Sequence, residues 1–179
     1  MKLVKQVEIM MEDERLGRQT YQSAAELAEL GPAVADLSAR LEKVNGYAID
    51  WNEWYARWCA QHKAGQEQTK QEQTGSEAKQ EAAPTHLQVT AVDEFRALIP
   101  WKQLTDAFIV YAKEDGTPLD KGFPMRLYVP HGSSDCLHVK GVVSLRVLYN
   151  PALGEQAEYG FLNTISPEQL FGGAGRGKE

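Results

Sequence analysis

Alternation of apolar and polar residues predicts most of the regular structure in this 179-residue chain. An apolar residue at every second position is typical of a strand that buries one face. The segments that show this pattern, or a short apolar run, are residues 3–10, 87–92, 95–99, 108–111, 125–129 and 142–149. Asp93-Glu94 lies between two of these strands and Asp115-Gly116 follows another, so we expect tight turns at both places.

Two helices are predicted from capping residues and apolar spacing. Gln22 or Ser23 can cap a helix through residues 24–30, which Gly31-Pro32 ends. Farther along, three tryptophans and a tyrosine occupy positions i, i+3, i+4 and i+7, which lie on one face of a helix. They are Trp51, Trp54, Tyr55 and Trp58. We expect this aromatic stripe to pack on a core rather than to form a ligand platform.

Residues 34–44 carry a less decisive pattern. Val34, Leu37 and Leu41 lie at near-helical spacing, which taken alone favours a helix over a strand. Asn45-Gly46 follows and marks a turn. On spacing alone, this segment therefore predicts a further helix that ends before the turn.

The chain changes character between residues 64 and 84, where it is rich in Gly, Gln, Glu, Lys, Thr and Ser and has no large apolar residue. Such a segment buries too little surface to offset its ordering entropy, so we predict disorder at about 64–85. The segment either links two domains or is a long insertion in one, because long loops add little closure entropy. Near the C-terminus, Ser166-Pro167 predicts a short helix in a tail of residues 156–179.

Composition narrows the function classes. The 25 acidic residues outnumber the 19 basic ones, which gives a net charge of -6. We therefore expect no nucleic-acid partner, because phosphate neutralisation needs a basic surface. No segment approaches the ~18 apolar residues of a spanning helix, so we expect no membrane contact and a cytoplasmic protein. Cys59 and Cys136 lie far apart and form no CxxC pair, which predicts reduced thiols and no zinc site.

One segment carries recognisable chemistry. Residues 122–130 read Gly-Phe-Pro-Met-Arg-Leu-Tyr-Val-Pro, which is a glycine-proline turn, a short apolar strand containing Arg126, and a proline stop. A polar loop follows and leads to His138-Val139-Lys140. A cationic strand beside a polar loop is suited to holding an anion. We expect an anionic group to bind between Arg126 and Lys140.

This segment resembles a signature of the sulfite-oxidase-like molybdopterin-dependent oxidoreductase domain, written G-x-P-x-R-[LV]-x-V-P, then a glycine-containing loop and V-K-W. Residues 89–100 and 109–119 are similar to two other stretches of that family, so the resemblance covers residues 87–148. Residues 19–30 resemble its first helix more weakly. The resemblance implies an α+β fold with a mixed, β-rich sheet and a few peripheral helices. It also implies one domain, residues 1–155, in which the predicted disordered segment is an insertion.

The resemblance further implies where a cofactor would bind. The pterin phosphate would lie against Arg126, His138, Val139 and Lys140, which we take as the candidate cofactor-binding residues. In the family, a strand equivalent to residues 37–44 carries the cysteine that ligates molybdenum. That position falls on Lys43 in this chain, and a lysine ammonium has no lone pair for a metal.

The polar loop departs from the family pattern as well. Asp135 occupies the position of a loop glycine, Leu137 lies near that of a phosphate-binding arginine, and Gly141 replaces the tryptophan. Asp135 would repel a phosphate, and Leu137 removes a bidentate donor. We identify no catalytic residue and no metal ligand in the sequence.

Three functions follow as alternatives. The first is a diverged molybdopterin-binding domain that has lost molybdenum redox catalysis and acts as a binding or structural module. The second is an active molybdopterin-dependent oxidoreductase with unusual metal ligation, and the third is an unrelated α+β interaction protein. Whether the chain is an enzyme is left open by the sequence. Its ligand would be a small anionic molecule or a pterin, and molybdopterin and no cofactor at all are equally compatible with these residues.

Overall fold

Two β-sheets carry the fold in the computed structural model, which describes residues 6–67 and 83–161. The larger sheet has six strands. In spatial order they are β10 (Glu158–Phe161), β5 (Phe95–Pro100), β4 (His86–Ala91), β9 (Val142–Leu148), β1 (Ile9–Asp13) and β2 (Gly17–Tyr21). Neighbouring strands are antiparallel except β1 and β9, which run parallel.

The smaller sheet has four antiparallel strands. In spatial order they are β3 (Tyr47–Asp50), β6 (Phe108–Ala112), β7 (Arg126–Tyr128) and β8 (Val139–Lys140). Two α-helices, α1 (Ala24–Ala28) and α2 (Trp51–Glu67), complete the regular structure together with three short 3₁₀ turns. The described part of the chain is therefore α+β and rich in strands, as predicted.

The main core joins both sheets to α2. Its fully buried members include Ile9, Leu87 and Leu145 of the larger sheet, Ile109 and Leu127 of the smaller sheet, and Trp51, Trp54 and Trp58 of α2. Two of the indole N–H groups have partners, because Trp54 donates to the Leu27 carbonyl at 2.7 Å and Trp58 donates to Gln19 Oε1 at 3.1 Å. The aromatic stripe on α2 is a core-packing face, as expected.

Asp13 ties three elements together inside this core. Its side chain is 1% exposed at the end of β1. One carboxylate oxygen, Oδ1, accepts the backbone N–H groups of Arg15 and Leu16 at 2.8 and 3.1 Å. The other, Oδ2, accepts the hydroxyls of Tyr55 on α2 and Tyr149 after β9, at 2.5 and 2.8 Å. A buried carboxylate is stable here because each oxygen receives two hydrogen bonds.

A second, smaller core lies on the other face of the four-stranded sheet. Leu37, Ala48, Phe108 and Val110 are buried there. The covering segment is residues 34–44, which consists of turns and bends. Both predictions for this segment, the helix and the strand of residues 37–44, are wrong. The segment is a loop of turns whose apolar side chains pack on the smaller core. The strand of this region is β3 at Tyr47–Asp50.

Most of the other predicted elements occur in the structure, and one strand boundary differs. The β4–β5 hairpin, β6, β7, β9, α1 with its Ser23 cap, and α2 are confirmed. The first strand begins at Ile9 rather than residue 3, and residues 1–5 are outside the described residues.

The first residues of the predicted disordered segment and part of the predicted tail belong to regular structure. Helix α2 runs to Glu67, so residues 64–67 of the predicted disordered segment are helical, and residues 68–82 are outside the described part. Strand β10 occupies part of the predicted tail, because pairing with β5 extends the sheet to Phe161. The predicted helix at Ser166 also falls outside the described residues.

Candidate functional site

A cleft of about 570 Å³ opens on the face of the four-stranded sheet that points away from the main core. Val110 of β6 lies in it with Arg126 and Tyr128 of β7, and the loop that follows β6 forms one wall. The lining residues are Lys43, Val44, Asn45, Val110, Lys113, Glu114, Asp115, Leu119, Asp120, Lys121, Arg126 and Tyr128. We call it the Arg126 cleft.

Arg126 is held in place by neutral groups. Its Nε donates to the Lys121 carbonyl at 2.8 Å, its Nη2 also donates to that carbonyl, and its Nη1 donates to the Tyr128 hydroxyl at 3.2 Å. These bonds use three of the five N–H donors of a guanidinium, so two stay available. Arg126 makes no ion pair with a carboxylate among the described residues, so its charge is not neutralised there.

Gly122 makes room for this arginine. It has a φ of 79°, in the left-handed region, and a Cβ at this position would overlap the Arg126 side chain at Nε. Only glycine satisfies both demands without strain. The Gly122 carbonyl also accepts the N–H of Gly141 at 3.2 Å, which ties the turn before β7 to the turn after β8.

Both basic and acidic side chains line the cleft, and only some of them have partners within the protein. Lys113 forms an ion pair with Asp120 at 2.9 Å, and Asp115 accepts the N–H and hydroxyl of Thr117 at 2.9 and 2.5 Å. Lys43 and Lys121, by contrast, form no ion pair with any residue in the described ranges 6–67 and 83–161. The cleft therefore presents Lys43, Lys121 and Arg126 as cations without carboxylate partners.

The four residues predicted to bind a cofactor are neighbours in the sheet, but they do not share one surface. Lys140 lies directly opposite Arg126 in the antiparallel pairing of β7 and β8, and its side chain is exposed. Val139 lies opposite Leu127 and is 1% exposed, so its side chain belongs to the core. Of the four, Arg126 alone lines the cleft.

His138 has a structural partner. Its Nδ1 accepts the backbone N–H of Val129 at 3.0 Å, which requires that this nitrogen carry no proton. Burial lowers the pKa of His138, and the nearby Asp135 opposes that shift less strongly. The ring centroids of His138 and Tyr128 are 5.4 Å apart, so His138 borders a residue of the cleft. It is neutral and already hydrogen-bonded.

In the loop before β8, five backbone N–H groups are hydrogen-bonded within the protein. Gly132 donates to the Val129 carbonyl at 3.0 Å, and Ser133 donates to Gln103 Oε1 at 2.8 Å. Farther along, the N–H groups of Cys136, Leu137 and His138 bond to Ser134 or Asp135. A phosphate cradle needs several free N–H groups that converge on one point. These five amides are already paired within the protein, so they form no such cradle.

The residues present do not fit a molybdenum centre. Neither Cys59 nor Cys136 lines the Arg126 cleft, and Lys43, at the position implied for the metal-binding cysteine, does. No group of three or more His, Cys, Asp or Glu side chains within residues 6–67 and 83–161 is arranged to hold a metal ion. Four basic and three acidic side chains line the cleft, so it has a small excess of positive charge, which suits an anion better than a metal cation.

Sequence reasoning missed most of the cleft. Lys113 and Lys121 carry no motif, and they meet Arg126 because the loop after β6 folds back beside β7. Tyr128 lies two residues after Arg126 on β7, at a variable position of the quoted motif. Lys43 could be found only through its place in the family pattern. The turn signal Asn45-Gly46 begins two residues after Lys43, and in the structure Lys43 has a left-handed φ of 67°.

Comparisons with known proteins leave the family open. No family model matches the chain, and no match was found among the curated proteins or among the solved structures. Within the described part of the chain, no helix combines the length and the apolar character needed to cross a membrane.

Proposed function

We propose that this chain is a binding module for a small anionic molecule, and that the Arg126 cleft is its binding site. The observation that carries the proposal is the state of Arg126. Its guanidinium is fixed by the Lys121 carbonyl and the Tyr128 hydroxyl, and it has no carboxylate partner among the described residues. A fixed guanidinium with free donors is suited to a carboxylate or phosphate group.

The surroundings favour a ligand of small size. The cleft volume of about 570 Å³ is within the range of small-molecule sites. Val110, Leu119 and Tyr128 supply apolar surface beside the cations, so a ligand with an anionic group and a flat or apolar body matches the lining. Lys43 and Lys121 add positive charge at the rim, which raises the local concentration of anions.

The proposal includes descent from the sulfite-oxidase-like family without its metal chemistry. The support for descent is the resemblance over residues 87–148, together with the antiparallel pairing of Arg126 and Lys140. The support for lost metal chemistry is Lys43, because an ammonium group would repel a metal cation. A pterin carboxylate or phosphate is one ligand of the proposed class.

Calorimetric titration tests the proposal with defined probes. Inorganic pyrophosphate and pterin-6-carboxylate are titrated separately into the full chain at low ionic strength. We expect saturable binding, a loss of affinity of at least tenfold in Arg126→Gln, and a smaller loss in Lys43→Gln. Lys43→Gln is informative because the Lys43 side chain forms no hydrogen bond or ion pair with a described residue, so the substitution removes a positive charge without breaking such a contact.

Lys102→Gln is the matched control. Lys102 is exposed and pairs with Glu155 at 3.2 Å, and it is absent from the cleft lining. This variant should bind both probes as the unmodified chain does. Absence of binding at millimolar probe, or equal affinity in Arg126→Gln and the unmodified chain, would refute the proposal.

A further inference from the structure

Strand β10 ends the six-stranded sheet and has one unpaired edge among the described residues. Within residues 6–67 and 83–161 nothing pairs with its outer edge, and an unpaired edge strand is a template for another strand. Two of the exposed large apolar side chains lie on this strand. Tyr159 is 43% exposed and Phe161 is 46% exposed.

These aromatic residues share one face with Phe95 of β5. Phe161 lies opposite Phe95 and Tyr159 opposite Ala97 in the antiparallel pairing. The ring centroids of Phe95 and Phe161 are 5.3 Å apart, and those of Phe95 and Tyr159 are 6.5 Å apart. The result is an aromatic patch at the edge of the sheet, continuous with the core side.

The opposite face of the same edge carries an unsatisfied charge. Arg96 of β5 lies opposite Gly160, and its side chain makes no hydrogen bond or ion pair with a described residue. Its Nε is buried without a partner. Burial lowers the pKa of Arg96, and repulsion from Arg146, which lies diagonally across β4, lowers it further. Arg96 therefore lacks a counter-charge in the described part of its own chain.

The edge strand itself supplies a candidate counter-charge. Glu158 lies two residues from Gly160, on the same face as Arg96, and its side chain is exposed. It forms no ion pair with another described residue. Within one chain Glu158 lies opposite Leu98 and is therefore a diagonal neighbour of Arg96, but the two side chains form no ion pair there.

We propose that β10 pairs antiparallel with β10 of a second copy of this chain, around a twofold axis at Tyr159. An axis perpendicular to the sheet keeps each face continuous across the pair. Tyr159 then lies opposite Tyr159 of the partner subunit, and Gly160 lies opposite Glu158 of the partner subunit. The two six-stranded sheets become one continuous sheet with an isologous interface.

This register brings the two charges together. Arg96, Gly160 and Glu158 of the partner subunit lie in one row across three strands, so the charged residues are about 9–10 Å apart at the backbone. Gly160 has no side chain to block the row, and extended arginine and glutamate side chains span that distance. The twofold axis makes the ion pair twice, and it places the two Tyr159 rings side by side over the aromatic patch.

Site-specific cross-linking tests the register. Directly opposed residues of antiparallel strands have Cα atoms about 4.5–5.5 Å apart, within disulfide range. In a full chain that carries Cys59→Ser and Cys136→Ser, Tyr159→Cys should form a disulfide-linked dimer under mild oxidation. Glu158→Cys and Gly160→Cys are matched controls, because neither residue faces its own copy. A dimer that forms equally well in all three, or in none, would overturn the proposal.

Charge reversal tests the ion pair by sedimentation equilibrium. We expect a concentration-dependent dimer for the unmodified chain, at least tenfold weaker association for Glu158→Arg, and recovery when Arg96→Glu is added. Arg18→Glu on β2, at the far edge of the sheet, is the control and should associate normally. A strictly monomeric chain, including one that pairs only with a different protein, would refute the proposal. So would a dimer that Glu158→Arg does not weaken.

Discussion

Replacement of Asp13 by asparagine removes a buried charge while it keeps the shape of the side chain. Asp13 accepts two tyrosine hydroxyls on one oxygen and two backbone N–H groups on the other. An asparagine has a single carbonyl oxygen, so it serves only one of these pairs. We expect it to keep the backbone pair, which leaves its amide group facing the hydroxyls of Tyr55 and Tyr149.

The cost follows from these contacts. Both hydroxyl bonds to the carboxylate, each in the charge-assisted range of about 1.5–3 kcal/mol, are lost, and the amide N–H groups can donate to the hydroxyl oxygens instead in neutral bonds of about 0.5–1.5 kcal/mol. The hydroxyls of Tyr55 and Tyr149 are 3.2 Å apart, so one can donate to the other and recover part of the loss. The remaining hydroxyl hydrogen has no acceptor. We predict that Asp13→Asn lowers the free energy of unfolding by about 2–4 kcal/mol.

Urea unfolding followed by tryptophan fluorescence measures this change, because three of the four tryptophans lie on α2 beside Tyr55. Asp93→Asn is the control: Asp93 is exposed and accepts the Phe95 N–H at 3.1 Å, so its loss should cost less than about 0.5 kcal/mol. The dependence of stability on urea should keep its slope. A decrease below about 1 kcal/mol in Asp13→Asn would refute the assignment of a tightly bonded, buried carboxylate.

Three further predictions concern pH and backbone fit. Burial, and next the hydrogen bond to Asp13, raise the pKa of Tyr55, so stability should be lost as pH rises above about 10, and Tyr55→Phe should reduce that loss in urea titrations at several pH values. The lowered pKa of His138 means that stability should fall as pH drops from about 6.5 towards that pKa, and His138→Gln should flatten this slope in urea titrations at several pH values. Gly122→Ala should cost about 1–3 kcal/mol and also weaken pyrophosphate binding, because its methyl group displaces Arg126; unchanged binding would contradict the fit described for this pair.

Local sequence patterns predicted the elements that are specified by residues close together in the sequence. The β4–β5 hairpin was predictable because both strands alternate and Asp93-Glu94 between them favours a turn. Helix α2 was predictable because its aromatic residues recur at helical spacing. The sequence position of Asp13 does indicate its burial, because it lies two and four residues after Met11 and Ile9, which are both fully buried in the same strand. That spacing places a carboxylate on the core side of β1.

Tertiary contacts decided the elements that were missed. Leu37 and Leu41 have helical spacing because the backbone turns between them, with the Leu41 N–H bonded to the Leu37 carbonyl at 2.9 Å, but no helix continues from that turn. The short β3 strand has no alternation to reveal it, and it forms by pairing with β6. The Arg126 cleft joins residues from three separate stretches, so no single segment could have predicted its charges.

The most direct test of the anion site is a backbone ¹H–¹⁵N NMR titration of the full chain with inorganic pyrophosphate. We expect saturable shifts that cluster at residues 43–45, 113–121 and 126–128, and that are lost in Arg126→Gln. Shifts centred on the loop of residues 131–138 and on Lys140 would place the anion at the position implied by the family pattern instead. That result, or the absence of saturable shifts, would contradict binding in the Arg126 cleft.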